Sequence, residues 1–265
     1  MELQLPLIRR ILAEHQEVEY HVWNFARNNN DNEYLRSLTG ERIRVINDWY
    51  GQSPWIAYNE AWKYYAHDEF REQLFVKIDD DVVFIETDRF SDFLDAINTQ
   101  RGSVVSAKVV NNGACVRTEP SMWLKFKDLD IPLLDVHLHS EFADMCHNHI
   151  LDHPHEMIGQ QVASIPTEDW LSINLIGFDW PTLREMASRL GQPSPPNIAG
   201  RDFSPSFPIG DEGMVNQEQR LILNGFVACH LTFGPQEKDL TDGQISEWRQ
   251  RYAHIGKRYI DKALA

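Results

Sequence analysis

Three consecutive carboxylates, Asp79, Asp80 and Asp81, stand between two apolar runs of the sequence. The runs at 74–78 and 82–85 are rich in β-branched residues and predict buried strands. Acids placed together at the end of a strand repel one another unless a cation or a set of donors answers their charge. Hard divalent cations such as Mg²⁺ or Mn²⁺ bind carboxylate oxygens together with substrate phosphates. The triplet therefore predicts a site for a metal ion and a diphosphate.

A second acidic pair, Asp211 and Glu212, follows Pro208 and precedes a predicted helix. An acid at this position can cap the start of the helix, where the helix dipole favours negative charge. Alternatively, one carboxylate can serve as a general base that takes a proton from a hydroxyl group. Both roles can hold, one for each residue.

A histidine-rich segment between residues 135 and 155 carries the third cluster of reactive side chains. Its members are His137, His139, Cys146, His147, His149, His153 and His155. Such a cluster could bind zinc. Its spacing matches no standard zinc signature and it contains a single cysteine, so the sequence favours a structural or acceptor-side loop.

The remaining sequence alternates between strand and helix patterns. Predicted strands lie at 18–24, 43–46, 74–78, 82–85, 104–110, 171–176 and 226–232, and predicted helices at 5–15, 58–65, 91–98 and 181–190. A capping box of Thr241 and Gln244 starts a last helix that should dock on the core. The segments 27–32, 113–168 and 191–209 are predicted to be irregular. This alternation predicts the α/β class, with a doubly wound, mostly parallel sheet and an irregular His-rich insertion.

The position of the acidic triplet follows from this architecture. Strand 74–78 should lie inside the sheet, with the acids at its carboxyl end, where ligands bind in open α/β sheets. His230 ends an apolar run, and a single histidine on a strand is commonly a core residue.

Composition limits the function classes. The chain has 265 residues, a net charge of −15 and three cysteines, Cys115, Cys146 and Cys229. The length fits one large α/β domain. The acidity gives no support to a nucleic-acid partner, although it does not exclude a nucleic-acid acceptor. A disulfide framework, a signal peptide and a membrane span are not expected, which predicts a cytoplasmic protein.

Four ordered segments resemble the glycosyltransferases of the GT-A fold that carry a DXD motif. They read FVKIDDDVVFIE at 75–86, VSAKVVNN at 105–112, GDEG at 210–213 and ACHLTFGPQ at 228–236. The nearest resemblance is to a group of bacterial and fungal proteins with KIDDDVVFIE, VSANVVNN and AHFSFGPQ segments, and it extends from about Val18 to the C-terminus. Lys108 stands where these proteins tend to have Asn, and is predicted to be a strand-end lysine rather than a phosphate contact.

The resemblance implies a single GT-A-like domain over 1–265, with a nucleotide-sugar-binding half at 1–112 and an acceptor and catalytic half at 113–265. It also implies that Asp211, Glu212 and His230 converge on the same cleft as the triplet, and it implies roles for individual residues. These are Asp79, Asp81 and His230 as ligands of Mn²⁺ or Mg²⁺, Asn24, Lys77, Asp79, Asp80 and Asn112 as donor-binding residues, and Asp211, or else Glu212, as the catalytic base. Imidazole suits Mn²⁺ better than Mg²⁺.

The implied function is transfer of a sugar from a nucleotide-diphosphate sugar to an unknown acceptor. Two alternatives stay open. One is a metal-dependent nucleotidyltransferase or phosphoesterase at the same acids, which usually needs a second metal. The other is a degenerate, non-catalytic binding protein with the same fold, because GT-A folds usually open with a strand and this sequence opens with a helix.

Overall fold

The structure, a computed structural model, describes residues 1–261 apart from the side chains of residues 54–56. Its helices are α1 (Gln4–Glu14), α2 (Asn29–Ser37), α3 (Pro54–Tyr65), α4 (Phe90–Thr99), α5 (Gly113–Val116), α6 (Pro120–Lys127), α7 (Ser140–Asp152), α8 (Pro154–Met157), α9 (Trp180–Arg189), α10 (Asp211–Val215) and α11 (Asp242–Asp261). Its strands are β1 (Tyr20–Trp23), β2 (Ile43–Ile46), β3 (Leu74–Ile78), β4 (Val82–Ile85), β5 (Ser103–Val110), β6 (Ala163–Thr167), β7 (Leu175–Asp179), β8 (Asn197–Ile198), β9 (Arg201–Asp202) and β10 (Gln219–His230).

The central sheet has the strand order β3-β7-β5-β10-β4, and β6 pairs with the first half of β10. The α/β class is confirmed. The sheet is mixed, because β5 and β10 pair in parallel while the other pairings of this sheet are antiparallel. The expectation of a mostly parallel sheet is thus met at the β5–β10 pair and at the separate β1–β2 pair.

The acidic triplet is the turn that connects the first and last strands of this sheet. β3 and β4 lie at opposite ends of the strand order, yet only Asp79–Asp81 separate them in sequence. β3, β5 and β10 run in the same direction, so their carboxyl ends meet at this edge. The predicted position of the acids at the carboxyl end of their strand is confirmed. The prediction that strand 74–78 lies inside the sheet is wrong, since β3 ends the strand order.

Helices cover both faces of the sheet and divide the core into two layers. On β10, Phe226 and Ala228 pack into one layer, and Val227 and Cys229 pack into the other, as the alternation of side chains along a strand requires. The first layer receives side chains of α1, α3, α4 and α9. The second receives side chains of α6, α7 and α11.

The segment 113–168, predicted to be irregular, is largely helical and contains α5 to α8 together with β6. Histidine and aspartate have modest helix propensity. In α7, however, Phe142, Cys146 and Ile150 recur at a spacing of four and are fully buried. Packing of this apolar stripe outweighs the local propensity, which is why the composition misled the prediction. The predicted loop at 27–32 is also partly wrong, because α2 begins at Asn29.

The other predicted elements agree with the structure to different degrees. Strands 43–46, 74–78 and 82–85 are confirmed to the residue. The strand predicted at 171–176 instead begins at Leu175. The capping box is confirmed, since the Thr241 amide donates to Gln244 Oε1 (3.1 Å) and the Gln244 amide donates to Thr241 Oγ1 (3.2 Å).

Within residues 1–261, no helix has both the length and the apolar character needed to cross a membrane.

Gly177 in β7 provides a test of the packing beneath the sheet edge. A Cβ atom added there would lie 2.1 Å from Ile97 Cδ1 and 3.2 Å from Phe93 Cζ, both in α4. We expect Gly177→Ala to destabilise the protein by about 1–3 kcal/mol, because the tightly packed core must shift to admit a methyl group. Chemical denaturation measures this change. Gly234→Ala is the control, since nothing lies within 4 Å of a Cβ atom at that position, and an equal loss in both variants would contradict the prediction.

Candidate active site

Asp79, Asp81 and His230 come together at the carboxyl edge of the sheet. One candidate ligand atom from each lies within 4.8 Å of the others. The His230 Nε2 and Asp81 Oδ2 atoms are 3.0 Å apart, and the His230 side chain is only 4% exposed. The residues predicted to hold a metal ion therefore share one site, although His230 lies far along the chain from the triplet.

Backbone hydrogen bonds fix this convergence. The Leu231 amide donates to the Asp81 carbonyl (3.1 Å), which ties the end of β10 to the acidic turn. The Asp79 amide donates to the Asn174 carbonyl (2.9 Å), which ties the other side of the turn to the start of β7. The turn is thus held at both ends by the strands whose edge it crosses.

Two buried polar atoms in this group lack a hydrogen-bond partner among the described residues, Asp81 Oδ1 and His230 Nδ1. Leaving a buried polar atom without a partner costs about 1–3 kcal/mol. A bound cation would offset this cost for the carboxylate oxygen of Asp81. Asp81 Oδ2 and His230 Nε2 already lie within hydrogen-bond distance of each other (3.0 Å), so Asp81 Oδ1 is the oxygen left without a partner. This donor set fits a divalent cation.

Lys77 and Asp79 form an ion pair beside the cation group. The Lys77 ammonium also donates to the Ile173 carbonyl (2.8 Å). Burial disfavours its charge, but the carboxylates of Asp79, Asp211 and Glu212 outweigh burial and raise the pKa of Lys77. Lys77 is therefore a fixed positive charge between the triplet and the second acidic pair.

Asn112, at the end of β5, belongs to the same edge. Its amide group donates to the Ser172 carbonyl (2.8 Å) and to Asn174 Oδ1 (3.2 Å), and Asn174 in turn donates to Asp79 Oδ2 (3.1 Å). The Asn112 Oδ1 atom is buried without a partner among the described residues. A donor contact by Asn112 stays a prediction.

The other predicted donor-binding residues have different surroundings. Asp80 is exposed and lies outside the cation group. Asn24 is fully buried, where its amide group donates to Asn32 Oδ1 and Asn47 Oδ1, each at 2.8 Å, and its Oδ1 atom accepts from the Ala26 amide. These bonds brace the β1–α2–β2 unit, and a donor contact by Asn24 stays a prediction.

Asp211 and Glu212 occupy the first turn of α10. Gly210 is the residue before the helix, and the Asp211 Oδ1 atom accepts from the Glu212 amide (2.9 Å). Burial and the neighbouring Asp211 carboxylate raise the pKa of Glu212 to about 7, against the opposing effects of Lys77 and Arg201. The Glu212 carboxylate has no hydrogen-bond donor among the described side chains. It is a carboxyl group poised to exchange a proton near neutral pH.

A second group that could hold a metal ion comprises Glu119, His149 and Glu156. It does not have the surroundings of a metal site. The Lys125 ammonium lies 3.1 Å from His149 Nδ1, and its positive charge opposes the binding of a cation there. The buried Lys108 ammonium binds Glu119 Oε2 (2.8 Å). These contacts describe an ion-paired network, and Lys108 is part of it rather than a phosphate contact.

The histidine-rich segment does not form a zinc site of its own among the described residues. Among the described residues, His149 is the one histidine of that segment found in a candidate metal group. His147 is buried, and its ring contacts the Tyr252 hydroxyl (2.8 Å) and the Leu231 carbonyl (2.6 Å). Burial lowers the pKa of His147 to about 3. This neutral ring supports the residue that follows His230.

Several residues of the site escaped the sequence interpretation. Asn174 orients Asp79, and Asn111 pairs with Gln236 through two amide hydrogen bonds (2.9 and 3.1 Å) that anchor the loop after His230. Asn111 and Gln236 lie in the segments that carry the resemblance, which could have identified them. Asn174 lies outside those segments, and no local pattern marks it.

No protein-family model, no curated protein and no solved structure matches this chain.

Asn174→Ala tests whether Asn174 positions the Asp79 carboxylate. Without the 3.1 Å hydrogen bond to Asp79 Oδ2, we expect Mn²⁺ affinity to fall about 10–100-fold, the usual effect of losing a group that orients a metal ligand. Titration calorimetry with Mn²⁺ measures this change. Asn224→Ala is the matched control, because Asn224 contacts Lys108 instead of the triplet. Unchanged Mn²⁺ affinity in Asn174→Ala would show that Asp79 needs no such support.

Proposed function

We propose that this protein is a metal-dependent glycosyltransferase that moves a sugar from a nucleotide-diphosphate sugar to an acceptor hydroxyl. The observation that carries the proposal is the convergence of Asp79, Asp81 and His230 at one sheet edge. Local propensity does not bring these residues together. Asp211 and Glu212 influence the pKa of Lys77, which binds Asp79, so the second acidic pair faces the same region.

Asp79, Asp81 and His230 would hold Mn²⁺ or Mg²⁺ at this edge. The bound ion supplies Lewis-acid stabilisation of a departing diphosphate. Lys77 adds a fixed positive charge beside it, and the free Oδ1 atom of Asn112 accepts a hydrogen bond from the donor. The protein groups thus bind and orient an anionic donor at a sheet edge where ligands of α/β proteins bind.

Glu212 is the better choice for the catalytic base, ahead of Asp211. A general base works best when its pKa lies near the working pH, and the pKa of Glu212 is about 7. Its carboxylate is free of hydrogen-bond donors from the described side chains, whereas Asp211 Oδ1 already accepts from the Glu212 amide. Glu212 would take the proton of the acceptor hydroxyl as the new glycosidic bond forms.

The nearby acids favour sugar transfer over two-metal phosphate chemistry. Glu86 is buried and accepts hydrogen bonds from the Gly159 and Val227 amides (2.8 and 3.1 Å). Asp88 pairs with Arg10. Neither joins the cation group at the triplet, so the described residues offer that edge one set of metal ligands, and two-metal reactions need a second.

A thermal-shift panel tests the proposal directly. UDP, GDP and their common sugar conjugates should stabilise the protein in the presence of Mn²⁺ and not after chelation with EDTA. A conjugate that stabilises the protein should then release its nucleotide slowly in the presence of water, which chromatography detects. Stabilisation by no nucleotide, or equal stabilisation with and without Mn²⁺, would refute the proposal.

A further inference from the structure

Arg201 lies on a β-hairpin that packs against the helix of the proposed base. β8 and β9 are joined by Ala199 and Gly200, which both have positive φ (47° and 83°), as a tight two-residue hairpin requires. A Cβ atom at Gly213, in the helix of Glu212, would lie 3.8 Å from Ile198 Cδ1. The hairpin therefore packs against α10, and Arg201 is held next to the site.

The Arg201 guanidinium is oriented by neutral partners. Its Cζ atom lies 4.3 Å from the centroid of the Trp170 ring, and its Nη2 atom donates to the Leu134 carbonyl (2.8 Å). No carboxylate within residues 1–261 lies within ion-pair distance of it, in a protein with an excess of acids. Leu134 and His137 belong to the same 3-10 helix, Leu133–Leu138, so the hydrogen bond to the Leu134 carbonyl places Arg201 one turn from His137. The positive charge of Arg201 also lowers the pKa of His137 and opposes the rise in the pKa of Glu212.

Aromatic rings extend from Arg201 on both sides. Trp170 stacks on Phe203, with ring centroids 5.9 Å apart. In the other direction, His137 contacts Phe233 (6.2 Å), and Phe233 contacts His230 of the cation group (4.5 Å). We call Arg201, Trp170, Phe203, His137 and Phe233 the aromatic strip. Arg201 lies at its end near the proposed base, and Phe233 lies at its end against His230 of the proposed metal site.

We propose that the aromatic strip is the acceptor subsite and that it selects a sugar or polyol carrying an anionic group, a carboxylate or a phosphate. This inference rests on the proposed function and adds the class of acceptor. Trp170 is buried and supports the guanidinium, while the half-buried rings of Phe203, His137 and Phe233 can bind the apolar face of a sugar ring. The guanidinium binds carboxylate or phosphate oxygens in two parallel hydrogen bonds. The stack on Trp170 and the bond to Leu134 preorganise Arg201 for that contact.

Charge explains why this site needs an arginine. Asp79, Asp80, Asp81, Asp211 and Glu212 would repel an anionic acceptor. Arg201 is a permanent positive charge, since the guanidinium stays protonated in proteins. Because the hairpin of Arg201 packs against the helix of Glu212, the anionic group bound by Arg201 would lie close enough to place an acceptor hydroxyl near the base.

The test uses three probe acceptors and matched arginine variants. Glucose, glucuronate and glucose 6-phosphate are titrated by saturation-transfer NMR into the protein loaded with Mg²⁺, which is diamagnetic. We expect one or both anionic probes to bind about 10–100-fold more tightly than glucose. The anionic probe that binds identifies the group as carboxylate or phosphate. Arg201→Gln should abolish the preference, and Arg201→Lys should keep part of it.

Arg184→Gln is the control, because Arg184 also lies over a tryptophan, Trp180 (5.1 Å to the centroid), but belongs to α9. It should keep the preference. Mn²⁺-dependent nucleotide binding, measured in parallel, should be the same in Arg201→Gln as in the wild type. If the wild type binds no nucleotide, the proposed function is refuted, whatever the acceptor probes show. Equal binding of all three probes, or a preference that survives Arg201→Gln, would overturn the acceptor assignment.

Discussion

Glu212→Gln should lower the rate of sugar transfer by about 10²–10⁴-fold, the usual contribution of a general base. The amide has nearly the volume of the carboxylate but cannot accept the acceptor's proton. Mn²⁺-dependent donor binding should survive, because the base acts on the acceptor and not on the diphosphate. Transfer rates under saturating donor, together with thermal shifts for donor binding, separate the two effects.

The pH dependence strengthens this test. Because the pKa of Glu212 is about 7, the wild-type rate should rise as pH increases through 7 and then level off once the carboxylate is ionised. In Glu212→Gln the residual rate should lose this inflection. Asp211→Asn is the matched control and should keep an inflection, displaced to lower pH, because the Asp211 carboxylate helps to raise the pKa of Glu212. A flat wild-type profile between pH 6 and 8 would remove Glu212 from the role of base.

Protein stability should show the same ionisation with a defined sign. The folded-state pKa of Glu212 lies above its ordinary value of 4.5. Its contribution to the free energy of unfolding is therefore fully present below about pH 4.5 and is lost as pH rises through 7. Relative to wild type, Glu212→Gln should become progressively more stable across that interval. Denaturant midpoints at several pH values measure the difference.

Asp81→Ala should eliminate the stabilisation that Mn²⁺ and a nucleotide give together. A ligand at 100 times its dissociation constant adds about 2.7 kcal/mol to the free energy of unfolding. For a protein of this size that gain raises the melting temperature by roughly 5–10 °C. The Asp81 carboxylate is one of three proposed metal ligands and lies 3.0 Å from His230 Nε2. Its removal should therefore abolish the shift in melting temperature. Differential scanning fluorimetry measures it.

The controls for Asp81 come from its neighbours. Asp80→Ala removes an exposed acid outside the cation group and should keep most of the metal-dependent shift. His230→Ala should weaken Mn²⁺ binding less than Asp81→Ala, because the two carboxylates remain. If Asp81→Ala shows the wild-type shift, the triplet does not bind the metal and the function proposed above fails with it.

Local sequence patterns determined the strands on either side of the triplet. The runs at 74–78 and 82–85 match β3 and β4, since short β-branched runs bounded by polar residues have few alternatives to a strand. The capping box of Thr241 and Gln244 likewise depends on two residues within one helical turn. These features need no information from distant parts of the chain.

Tertiary packing, not local composition, determines the structure of the histidine-rich segment. Its polar composition predicts a loop, but burial of Phe142, Cys146 and Ile150 against the second core layer makes it a helix. Mixed pairing in the sheet is also a tertiary result. The direction of each strand depends on the crossover connections and on which faces must be covered, and a strand pattern carries no record of either.

The sequence also provided the chemistry of the candidate site: acids that need a cation, an imidazole at a strand end and a second acidic pair. Their convergence was decided by the tertiary structure. The triplet crosses the sheet edge because β3 and β4 lie at opposite ends of the strand order. Burial beside Asp211 then raises the pKa of Glu212 rather than leaving both acids as simple helix caps. The positions of Asn174 and Arg201 depend on contacts with residues far away in sequence, which no local pattern encodes.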